Sequence, residues 1–128
     1  MADPLRLSPF PDQVTAIRFS PIDPRRLISS SQCGVVQQWS VDGYQIGASY
    51  GRSEVKDLAY TSDGTHFVSC GERTVIVRDS ESMVEVVKIE APVGELHRCC
   101  ISPDRRLAAC TSGSTITGGR GGITQGVN

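Results

Sequence analysis

Five cysteines, two histidines and fourteen acidic residues are the side chains of this 128-residue sequence suited to catalysis or metal binding. The densest group is His97, Cys99, Cys100 and Cys110. Structural zinc sites usually draw closely spaced Cys pairs from two places in a chain, and no second pair stands at a matching spacing here. Cys99 and Cys100 are adjacent, and neighbours on a strand point to opposite faces. One ion does not easily take both. The thiols read instead as small buried side chains.

Nucleophilic catalysis needs a Cys or Ser with a base in hydrogen-bond reach and a group that orients the base. His66 follows the turn Asp63-Gly64, and His97 reads as a strand residue among apolar neighbours. Neither belongs to a Gly-x-Ser-x-Gly motif. Gly118–Gly122 has the glycine content of a phosphate loop but lacks its Gly-Lys-Ser/Thr end. We therefore expect a protein that is not an enzyme, with no catalytic residue, metal ligand or cofactor.

Charge narrows the partners. The net charge is −1 at neutral pH, which gives no field to gather nucleic acid or an anionic membrane. The GGRGG stretch has an RGG-like context, and disordered RGG segments bind RNA. A single arginine adds little counterion-release affinity, so RNA association through this segment stands as a weakly supported alternative. Met1 to Phe10 has two charges, two prolines and no apolar core. No run approaches the roughly 20 apolar residues of a membrane span. The expectation is a cytoplasmic or nuclear protein with reduced thiols.

The elements that position these residues come in a repeat. Phe19, Tyr60 and Ile101 stand 41 residues apart, each closing an apolar triplet. The triplets are Val14, Ile17, Phe19; Val55, Leu58, Tyr60; and Leu96, Cys99, Ile101. Each is followed by a turn rich in Ser, Pro, Asp or Gly and then by a second apolar run: LISSS, FVSCG, LAACT. The first two copies add VVQQWSV and TVIVRD, then YQIGASY and MVEVVKI. Short Val- and Ile-rich runs between turn residues predict strands, and no segment keeps a helical period. The chain reads as all-β, with four antiparallel strands per copy.

A period near 41 with four strands per copy is that of propeller blades. VTAIRFSPIDPRRLISS…VVQQWS and VKDLAYTSDGTHFVSCGERTVIVRD resemble WD40 repeats, over roughly residues 14 to 117. The signature is worn. Trp39 keeps the aromatic of the Trp-Asp pair, but Ser40 replaces the acid; Asp79 keeps the acid, but Arg78 replaces the tryptophan. The Gly-His before the first strand is missing, and Cys33 and Glu72 stand where the family often has an Asp. The Asp-His-Ser-Trp network that the resemblance implies is thus not whole in any copy. The register of Trp39 places it in the core rather than at a partner surface.

The predicted organisation is a leader at 1–13 that could donate a closing strand, blades at 14–50 and 51–91, a partial blade at 92–117, and a flexible tail at 118–128. Five glycines fall among the last eleven residues, a density that disfavours a strand, so the third blade is expected to lack two strands. Closed propellers have about four blades or more. The chain is therefore expected to be a fragment of a longer propeller, or to self-associate and cover its open blade edges. The family resemblance implies a non-catalytic protein-interaction scaffold that contacts unidentified protein partners. An alternative is an accessory propeller piece of a multidomain enzyme or signalling protein. Loops on a rigid scaffold are where binding resides. By the family's topology, the loops containing Arg52, Glu72 and Arg73 share one face, and these three form the candidate partner-binding patch.

Overall fold

The computed structural model describes residues 13–51, 53–90, 96–102, 107–112, 115–120 and 123–127. They form twelve strands in chain order. β1 (Val14–Phe19), β2 (Arg26–Ser31), β3 (Val35–Ser40) and β4 (Gln45–Tyr50) make the first antiparallel sheet. β5 (Val55–Tyr60), β6 (His66–Gly71), β7 (Thr74–Asp79) and β8 (Glu85–Glu90) make the second, and β9 (Arg98–Ile101), β10 (Leu107–Ser112), β11 (Thr115–Arg120) and β12 (Ile123–Val127) the third. In each, strands neighbour one another in sequence order. The repeat is visible in the register: Ile17 opposes Ser29, Leu58 opposes Ser69, and Cys99 opposes Cys110.

The third sheet corrects one expectation. Residues 118–128 were expected to be a flexible tail, yet β11 runs to Arg120 and β12 pairs with it. Gly118 sits between Ala109 on β10 and Gln125 on β12. Ladder hydrogen bonds join backbone groups and need no side chain. Glycine raises the entropic cost of a strand, but β9 already pins β10, and β10 offers a ready template. The reading from composition counted the cost and omitted the partner. The leader, apart from Gln13, lies outside the described residues.

The sheets stack face to face. Their first strands β1, β5 and β9 touch in series, and the other strands extend outward. Between the first and second sheets lies a core of Ala16, Ile28, Val36, Leu58, Phe67 and Met83. Between the second and third lies another, of Val68, Cys70, Val75, Ile89, Leu96, Cys99 and Cys110. Strand alternation explains the division: Phe67 faces one way and Val68 the other, and both are fully buried. Full burial of such a side chain is worth ~2 kcal/mol.

One polar group joins all three inner strands. Asp57 on β5, 3% exposed, accepts a hydrogen bond from Arg18 Nη2 on β1 at 2.7 Å. Its other oxygen accepts the Cys99 backbone N–H on β9 at 3.1 Å. The repeat also exposes an open face. Leu58 is 0% exposed beneath the first sheet, whereas its repeat equivalent Ile17 is 51% exposed and the nearby Phe19 is 61% exposed.

Candidate functional site

The β2–β3 turn, the β4–β5 loop and the β6–β7 turn emerge together at one end of the sheets. Close backbone packing fixes them there. Gly51 N–H donates to Gly34 O at 2.9 Å. Gly34 has φ +94°, and a Cβ on it would lie 2.7 Å from Ser53 O. A Cβ on Gly71 would lie 2.3 Å from Glu54 O. Leu96 N–H donates to Gly71 O at 3.0 Å, which brings the approach to β9 to the same end. Glycine is needed at 34 for its conformation and at 71 for space.

Of the predicted patch, Glu72 and Arg73 are exposed side by side in the β6–β7 turn. Arg52 lies outside the described residues. Between the first two sheets, this end opens into a cleft of about 340 Å³. Gly34, Val36 and Tyr50 contribute one wall, and Ser69, Thr74, Arg78, Glu85 and Lys88 the other. Sequence reasoning did not assign this cleft. Its signal was the Arg78 replacement. Trp39 pairs across the sheet with Leu27, and Arg78 pairs with Phe67, the repeat equivalent of Leu27. Trp39 is 3% exposed and its indole N–H donates to Ser29 Oγ at 3.0 Å. At the equivalent place in the second sheet stand a guanidinium and Ser69, whose hydroxyl reaches Ile76 O at 3.5 Å. Burial lowers the Arg78 pKa, while the Glu85 charge raises it.

The opposite end is tied by charge. Arg26 contacts Glu81 at 3.1 Å and Asp23 at 3.4 Å, linking the turns of the first two sheets. Gln38 Nε2 donates to Ser80 O at 2.8 Å. Asp79, the acid kept in the second copy, accepts the backbone N–H groups of Glu81 and Ser82 at 2.9 Å each. Those bonds, Ser82's first, hold its carboxyl below the usual range.

The cysteines sit as expected for core residues: Cys70, Cys99 and Cys110 are buried together between the second and third sheets, and Cys100 is exposed. Hydrogen bonding to Cys70 and burial push the Cys99 thiol far above its ordinary range, and burial pushes Cys110 up to about 12. The thiolate is the reactive form, so these two thiols are poor nucleophiles. Among the described residues, no group of three His, Cys, Asp or Glu side chains is placed to hold a metal ion. His97 lies just before β9 rather than inside it, and is exposed.

The stacked four-stranded antiparallel sheets agree with the comparisons. Residues 44–79 match the family model of the WD domain, G-beta repeat. The chain carries a WD40 repeat. No curated protein matches its sequence. Among solved structures, U3-55K matches at 15% identity with a TM-score of 0.82, over 95% of this chain and 40% of its own. The RRP9 WD40 repeats match at 15% identity and 0.82, over 95% and 39%. Kuenenia stuttgartiensis hydrazine synthase matches at 21% and 0.77, over 100% and 38%. At these identities the likeness is of fold. This chain spans about two fifths of the length of each of those structures. The architecture is all-β, with antiparallel four-stranded sheets matching WD40 propeller blades. Among the described residues, no helix is long and apolar enough to cross a membrane.

Proposed function

We propose that this chain is a non-catalytic protein-interaction scaffold and part of a longer WD40 propeller. The observation that carries the reading is the loop end. Close glycine contacts between successive sheets hold it rigid, and it presents Glu72 and Arg73 beside an open cleft. A rigid frame lowers the ordering cost of binding. Partial coverage of the matched propellers and the exposed Ile17 and Phe19 support the second part. A further blade, from more of the same polypeptide or from a second copy, covers that face. The RNA alternative rested on a flexible Gly/Arg tail. With β11 and β12 paired as strands, it loses that support.

The test compares two charge reversals in cells that express the protein: Glu72→Lys with Arg73→Glu at the loop end, and Asp42→Lys with Glu81→Lys at the opposite end. Quantitative proximity labelling reads the partners. Selective loss of partners from the loop-end variant is the expected result. An unchanged set in that variant overturns the reading.

A further inference from the structure

Resting on the scaffold reading, we propose that the cleft between the first two sheets receives one carboxylate side chain, Asp or Glu, from an extended segment of a protein partner. Arg78 is its anchor.

The first observation is space. The repeat position that holds a buried tryptophan in the first sheet holds Arg78 in the second, and about 340 Å³ is left open there. That volume falls within the range of ligand pockets and accommodates a side chain with its flanking backbone. The second is a cation with spare donors. The Arg78 side chain is half-buried and stands across the strand pair from Glu85, whose charge it feels, and it makes no side-chain hydrogen bond or ion pair within 4.0 Å with another described residue. A guanidinium offers a planar fork of donors that matches a carboxylate in bidentate fashion. Ser69 and Thr74 line the same wall and add hydroxyl donors. The third is charge balance. Arg78 and Lys88 line the cleft with Glu54 and Glu85, and Lys56 pairs with Glu54 at 3.2 Å. With Glu54 held by Lys56 outside the lining, Arg78 and Lys88 face Glu85 alone. That suits a monoanion, whereas a phosphomonoester brings nearly two negative charges at neutral pH, more than this balance offsets. The fourth is a rim. Tyr50, 76% exposed, offers an aromatic face beside the opening, and tyrosine is favoured at binding hot spots.

The experiment uses the ¹⁵N-labelled 128-residue chain and three acetylated pentapeptides, with alanines flanking a central glutamate, glutamine or phosphoserine. The glutamate peptide is expected to shift the amides of Ser69, Gly71 and Thr74, and to bind about tenfold or more tightly than the glutamine peptide. Arg78→Gln weakens it by about tenfold or more with unchanged circular dichroism. Arg78→Lys, which keeps the charge and loses the fork, also weakens it and guards against misfolding of the first variant. Arg78→Trp refills the cleft and abolishes binding. Equal binding of the glutamate and glutamine peptides, or indifference to all three substitutions, overturns the proposal. Tighter binding of the phosphoserine peptide overturns it in favour of a phosphate. If no peptide binds while the loop-end reversal still removes partners, the cleft assignment alone fails; if that reversal changes nothing, the scaffold reading fails as well.

Discussion

Removing the Asp57 carboxylate tests whether the three inner strands are held by one group. Asp57→Ala has two effects. It breaks the pair with Arg18, whose side chain is 44% exposed. At such exposure solvent screening limits the pair to about 1 kcal/mol or less. It also strips the acceptor from the Cys99 N–H, which is buried, and an unsatisfied buried donor costs ~1–3 kcal/mol. Together the loss is ~1–4 kcal/mol, against the ~5–15 kcal/mol that holds a typical domain. Asp57→Asn keeps an acceptor for Cys99 and loses the charge, so it costs about 1 kcal/mol. Urea titrations followed by circular dichroism at pH 7 measure both. Amide exchange adds the location: Cys99 and its β9 neighbours lose protection in Asp57→Ala, while Ile28 and Val36 keep theirs. If Asn costs as much as Ala, charge pairing rather than the strand-bridging bond dominates, and the argument fails.

Two further outcomes follow from burial. Cys110 and Tyr60 are pushed up to about 12 from ordinary values of 9.0 and 10.0, chiefly by desolvation, with the Gln38 side chain opposing the shift at Tyr60. The unfolded chain releases these protons first, so their contribution is full below pH 9 and is lost as pH rises from 9 towards 12. Denaturation midpoints across that window should fall in the wild type and fall less in Cys110→Ala and Tyr60→Phe; a flat wild-type profile refutes the assignment. The open face gives the last expectation: the 128-residue chain associates in light scattering, and Phe19→Lys reduces that association because Phe19 is 61% exposed. A monodisperse wild-type monomer refutes it.

Much of the fold was legible because the repeat is written in residues that make opposite demands. Apolar triplets 41 residues apart set the inner strands, and turn residues between them leave no length for a helix. The buried cysteines were legible for the same reason, since Cys99 stands where Ile17 and Leu58 stand in the other copies. The third sheet was misread because composition reports the cost of a glycine strand and is blind to the strand beside it. Asp57 gave no signal, because a carboxylate in the middle of VKDLAY reads as the polar half of an alternating strand. Its role depends on Arg18 and the Cys99 N–H, 39 and 42 residues away.

The cleft lies between these cases. Its cause is visible in the sequence as Arg78 in place of a tryptophan, but that replacement alone predicts only a weakened blade. It becomes a candidate site through register. Arg78 falls on the face of the second sheet turned toward the first, at the end of β7 away from the β6–β7 turn, and lines the cleft that runs from there to the loops gathered at Gly34, Gly51 and Gly71. A large side chain there, as at Trp39, packs against its own sheet and bonds a serine. A guanidinium leaves the space open, leaves Ser69 with one long contact to a carbonyl, and places a partly desolvated charge where an outside group can reach it. Arg78 thus brings together what the proposed recognition needs: volume, guanidinium donors that no ion pair with a described residue occupies, and a rigid wall.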